Sequence, residues 1–207
     1  NVYRITHGSA GVSVDEVSRL PEGFIPSAAS GSGSTIYIHG TDGEVNKLYS
    51  FSTGSGRWTE LSGCPAGRRS EGSIFARQHN GHQEAFYLMG GRDISDGIAT
   101  VYKDVWQYTP LDDKWEHKGD IIPQGDESPV SVMAAQAVPY GSGHIILIGG
   151  DDGVELQHRL ALEAHIKSET NLARKDSLQK VLTVAFTSHA GFSNDILAYH
   201  VITNTWI

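Results

Sequence analysis

"FYLMGGRDISDGIATVYKDVWQYTPLDDKW", Phe86 to Trp115, is the stretch on which the reading of the whole chain turns. An apolar run stops at two glycines and a polar segment follows. A second run then carries Tyr108, crosses the turn residues "PLDDK", and reaches Trp115. In that second run every other residue is apolar, which places one face against a core and the other in water, the pattern of a half-buried antiparallel strand. Asp and Pro between two such runs mark a tight connection.

The same order occurs twice more. "IYIHG" (Ile36 to Gly40) precedes "NKLYSFSTGSGRWTEL" from Asn46, and "HIILIGGDD" (His144 to Asp152) precedes "NDILAYHVITNTWI" from Asn194. Tyr49, Tyr108 and Tyr199 stand 9, 7 and 7 residues before Trp58, Trp115 and Trp206. Self-similarity of this kind signals a repeated small sheet, each unit too small to bury its own apolar face. The Trp residues are 57 and then 91 apart, so the third unit is longer. The added length lies in "VELQHRLALEAHIKSETNLARKDSLQKVLTVAF", Val154 to Phe186, where Leu156 and Leu160, Leu162 and Ile166, and Leu178 and Leu182 fall four apart. That spacing predicts one or two amphipathic helices, at about 154–188, inserted after the glycine strand. The units run 34–84, 85–143 and 144–207, and residues 1–33, with "VYRI" and "VDEVSRLPEGF", read as the end of a preceding unit.

Bulk properties narrow the function. With 207 residues the chain can bury a sizeable core. The formal net charge is -8 and the basic residues are scattered, which argues against a nucleic-acid partner, since phosphate backbones reward a clustered basic face. No apolar run approaches the ~18 residues of a membrane helix. Cys64 is the single cysteine, so neither an internal disulfide nor a thiolate metal cluster is expected. After Gly149 and Gly150 no Gly-Lys-Ser/Thr follows, as a phosphate loop would require, and two neighbouring aspartates are too few for a metal. The glycines therefore read as close-packing positions between strands.

An apolar strand, a glycine pair, a Tyr strand, a turn and a Trp together resemble the kelch repeat, whose units are four-stranded blades of an all-β propeller. The order of blade, glycine strand, helical insertion and "GFSNDILAYHVITNTW" is similar to the cyclically permuted mutarotases, the sialic acid mutarotase or N-acetylneuraminate epimerase family. The resemblance implies six blades around a channel, of which this chain holds about three and a half. The rest is expected from further chain or from association, because an open propeller exposes sheet edges. It also implies an isomerase acting on the anomeric centre of a small sugar acid, without cofactor or metal, in a periplasmic or secreted protein. The family's catalytic Glu and Arg lie on a blade after the one with the insertion, so no catalytic residue is carried over.

Ring opening and closure at a hemiacetal needs an acid and a base that exchange roles, and a sugar acid also rewards an arginine fork for its carboxylate. "GRRSEGS" (Gly67 to Ser73) leads from one blade's outer strand into the next blade's inner strand, which makes Arg68, Arg69 and Glu71 candidate binding residues. The bland alternative is a solvated charged turn. Arg92 with Asp93, and Asp151 with Asp152, follow the glycines of two successive units, where Asp commonly caps a turn. His189 stands where the insertion rejoins the sheet, while His79 and His82 belong to a polar hairpin loop. Two other functions compete. One is a non-catalytic propeller that binds a protein or carbohydrate, since fold does not fix function. The other is a copper radical oxidase, which needs a Cys-Tyr crosslink and a Tyr/His cluster that the surroundings of Cys64 do not offer.

Overall fold

The computed structural model describes residues 1–9, 11–187 and 192–207. Strands β1 (Val2–Gly8) and β2 (Gly11–Ser18) form a two-stranded antiparallel sheet. Next come β3 (Ile25–Ser32), β4 (Thr35–Asp42), β5 (Val45–Ser52) and β6 (Trp58–Leu61), an antiparallel sheet paired in chain order. A second sheet is made by β7 (Ile74–His79) and β8 (Glu84–Met89), and after a small side hairpin of β9 (Arg92–Ser95) and β10 (Ile98–Val101), by β11 (Asp104–Thr109) and β12 (Lys114–Asp120). The third sheet takes β13 (Gln136–Tyr140) and β14 (His144–Ile148). The chain then makes α1 (Val154–Ser168) and α2 (Leu172–Thr187), and completes the sheet with β15 (Ile196–His200) and β16 (Thr205–Trp206).

The glycine strand is thus the second of each sheet, and the helical insertion falls between the second and third strands. Each sheet also begins one strand earlier than the repeat pattern suggested, at Ile25, Ile74 and Gln136. The first strands "IPSAASGS" and "QAVPY" lack both the alternation and the marker residues of the strands that follow.

The sheets stack face to face, and this is what buries the repeated aromatics. Between the first and second, Leu48, Cys64 and Tyr37 meet Phe75, Phe86, Leu88 and Tyr108. Between the second and third, Tyr87, Met89 and Val105 meet Ile145, Leu147, Tyr199 and Trp206. The marker pairs stay in contact, with ring centroids 6.3 Å apart for Tyr49 and Trp58, 5.1 Å for Tyr108 and Trp115, and 4.7 Å for Tyr199 and Trp206. Each large side chain so buried contributes roughly 1.5–3 kcal/mol. At the inner edge of the stack, β7 lies between β3 and β13, so the three first strands run side by side and the sheets fan out from them.

Gly90 shows what the glycine pair is for. Its φ is 52°, and a Cβ there would stand 1.8 Å from the Val132 carbonyl oxygen. The connection into the third sheet passes directly over it, and the Gly91 amide donates to the same carbonyl at 3.1 Å. Any side chain would push the two sheets apart. The helices share a small core of Leu162, Ile166 and Leu182, and α1 rests against β10. Among the described residues no helix is long and apolar enough to cross a membrane.

Candidate functional site

Asn46, the second residue of β5, fixes the connection that leaves the first sheet. Its side-chain amide lies 3.2, 3.0 and 3.1 Å from the carbonyls of Cys64, Ala66 and Gly67, and its Oδ1 accepts from the Arg69 backbone amide at 3.0 Å. This holds the start of "GRRSEGS" against β5. Arg69, expected among the substrate-binding side chains, is instead fully buried. Its Nε donates to the Gly90 carbonyl at 2.8 Å and its Nη1 to Gly67 at 3.1 Å, while its Nη2 pairs with Asp104 and its fork lies 4.2 Å from the centre of the Tyr102 ring. With no atom reaching solvent, it ties the incoming loop to the end of the glycine strand. Burial tends to raise the Asp104 carboxyl, but Arg69 and a hydrogen bond from Trp106 outweigh it and hold the group below its ordinary range.

The neighbouring charges are paired, with Asp93 buried and Glu71 exposed. Arg68 pairs with Asp93 at 3.0 Å, and the Asp93 carboxylate also accepts from the hydroxyls of Ser70 and Ser95 at 2.9 and 3.1 Å. Glu71 and Arg92 exchange backbone hydrogen bonds, and the Glu71 carboxylate accepts from Arg92 Nε at 3.0 Å and Nη2 at 2.5 Å. In the next sheet Met133 and Asp151 exchange backbone bonds in the same way. The two bridges are one device repeated: the residue that enters a first strand pairs with the residue after the glycines. That device carries Arg92 to within 4.0 Å of the Met133 sulfur and links the two positions across sheets.

Arg68, Glu71, Arg92 and Asp93 therefore form one charged rim, with Asp151 beside it through Met133. Separately, β3, β7 and β13 line a cavity of about 250 Å³ whose walls include Ser73, two residues after Glu71, but none of the rim residues. Asp151 and Asp152 act on the backbone, Oδ1 of Asp151 accepting from the Gly153 amide at 2.6 Å and Oδ1 of Asp152 from Val154 at 2.9 Å, which starts α1. His189 lies outside the described residues. His79 accepts from the Gly81 amide within its own hairpin loop, at 3.1 Å.

No family model matches the chain. Among curated proteins it is similar to the N-acetylneuraminate epimerase of Salmonella enteritidis PT4, 25% identical over 153 residues that make up 72% of this chain and 35% of that protein. The N-acetylneuraminate epimerase of Salmonella typhi is 24% identical over the same extents. The chain spans about a third of the length of these relatives.

Two features of the site carried no usable signal in one dimension. Asn46 and Asp104 stand within the first two residues of their Tyr strands, and nothing in a lone Asn or Asp announces the loop it will clamp. Cys64 packs against apolar neighbours in the core, and burial pushes its thiol up to about 12, so it stays protonated and serves packing.

Proposed function

We propose that the chain forms part of a kelch-type β-propeller that interconverts the anomers of a sugar acid of the N-acetylneuraminate class. The observation that carries this reading is the charged cluster in which Arg68 and Arg92 each face a carboxylate, in a chain similar to N-acetylneuraminate epimerases. A substrate carboxylate competes for these guanidinium forks because it offers the same two-oxygen geometry as the protein's own carboxylates. When it takes Arg92, Glu71 is released and becomes a carboxylate able to accept the proton of the anomeric hydroxyl. As that proton leaves, the bond from the anomeric carbon to the ring oxygen breaks, the ring oxygen gains a proton from an acid, and the carbon becomes a ketone. Rotation and reclosure on the other face reverse each transfer. The acid is expected on a following blade, in keeping with the family resemblance.

Further blades, from additional chain or by association, belong to the same proposal, as does a periplasmic or secreted setting. A second reading, a non-catalytic propeller that binds a protein or carbohydrate partner, is favoured by the exposed apolar face of the β1–β2 hairpin. Proton NMR of freshly dissolved N-acetylneuraminate separates the two. Added protein is expected to speed the approach of the α signal to equilibrium with the β signal; a rate equal to the spontaneous one defeats the catalytic reading for this chain.

A further inference from the structure

We propose that copies of this chain associate head to tail, the outer face of the third sheet in one copy docking on the β1–β2 hairpin of the next. The proposal goes beyond the sugar-acid reading and does not depend on it. Its ground is a contact the molecule already makes twice, between its first and second sheets and between its second and third. In both, one sheet presents the side that bears its markers, Tyr108 with Trp115 or Tyr199 with Trp206. The hairpin presents that same side. Glu16, Ser18, Pro21 and Gly23 stand 44 positions before Glu60, Ser62, Pro65 and Gly67. Tyr3 pairs with Glu16 and Ile5 with Val14, as Tyr49 pairs with Glu60 and Phe51 with Trp58. The Trp58 indole donates to the Ser18 hydroxyl at 2.9 Å, and the Trp115 indole to the Ser62 carbonyl at 2.7 Å. The hairpin therefore stands to the first sheet as β5 and β6 stand to the second. Tyr3, Ile5 and Val14 hold the marker positions and are 54%, 72% and 60% exposed.

The third sheet supplies the opposite side of the contact. Setting Gly149 and Gly150 on Gly90 and Gly91 places Ile148 at the position of Met89. The strand registers then place Ile196 at that of Val105, and Val138 at that of Ala76. Met89, Val105 and Ala76 are 0%, 1% and 3% exposed, in the cluster that the second sheet shares with the third. Ile148, Ile196 and Val138 are 47%, 64% and 42% exposed. One chain thus carries both halves of its own inter-sheet contact, one on the hairpin and one on the third sheet, and a second copy offers each face its complement. Removing these apolar side chains from water drives the association. A contact between unlike faces is heterologous, so it extends from copy to copy until the geometry closes a ring.

The test is light scattering coupled to size-exclusion chromatography, with two variants that each place lysines on one face. One is Ile5→Lys, Val14→Lys on the hairpin, and the other Val138→Lys, Ile196→Lys on the third sheet. The unmodified protein is expected to exceed the mass of one chain and to grow with concentration. Each variant alone is expected at the mass of one chain, since a head-to-tail contact needs both faces. Mixed in equal amounts, the two are expected to reach twice that mass and no more, because each supplies the face the other has lost. Doubling on mixing also shows that both variants are folded; where a lysine pair lowers the melting temperature, serines at the same positions take its place. Unmodified protein that stays monomeric at every concentration overturns the proposal. So does a mixture that remains at the mass of one chain while the unmodified protein associates, since like faces are then meeting. Neither result touches the sugar-acid reading, which the NMR measurement decides.

Discussion

His39 lies on β4 with its side chain wholly buried, and burial, then the nearby Arg69 cation, lowers its imidazole to about 3, only partly offset by Asn46. An unfolded histidine titrates near 6.5. Below that pH the unfolded chain takes up a proton that the folded chain refuses. Stability from this residue is therefore complete above about pH 6.5 and is lost as pH falls toward 3, by up to ~1.4 kcal/mol per unit. His39→Leu is expected to flatten the dependence of the urea midpoint on pH between about 7 and 4.5; equal slopes in the two proteins would remove His39 as the source. Arg69 shows how far single residues could be read beforehand. "GRRSEGS" was legible as an arginine-rich entry to an inner strand, and Arg68 does stand at the rim. Which of the two adjacent arginines turns inward depends on Asp104 and Gly90, distant in sequence and adjacent only after folding.

At the scale of elements, the glycine strands and Tyr strands were visible because alternation and turn chemistry are local properties. The first strands were not, since their small residues are selected by crowding between neighbouring sheets. That crowding makes Gly90→Ala severe: the added methyl meets the Val132 carbonyl at a backbone angle that also disfavours alanine. A loss of more than about 3 kcal/mol is expected in chemical denaturation, against roughly 0.5 kcal/mol or less for Gly54→Ala, where a Cβ meets nothing within 4 Å. The helical pair behaves oppositely. It owns its small core, and on the far side of the insertion the Ser193 amide donates to the Gly150 carbonyl at 2.8 Å, so the two ends of the insertion lie close together. Replacing 153–192 by a short Gly-Ser turn is expected to remove the helical circular-dichroism signal while the sheets still melt cooperatively. Loss of the cooperative melt would show that the helices support the sheets.

For the whole molecule, two sheet faces carry exposed apolar side chains. On the hairpin Tyr3, Ile5, Val12 and Val14 are exposed, and on the third sheet Val138, Ile148 and Ile196. Bare β faces of this kind associate. Light scattering is expected to show growth in mass with concentration, reduced in an Ile5→Lys, Val14→Lys variant whose melting is unchanged; a monomer at all concentrations would refute this. The sequence by itself determined the repeated sheets, the glycine pairs, the Tyr and Trp markers and the helical insertion, because each is written in spacing along one dimension. Only the tertiary structure decided which strand is innermost, which arginine is buried, and that Glu71, Arg92 and Asp93 share a rim. Those outcomes depend on which sheet packs over which, through contacts between residues tens of positions apart.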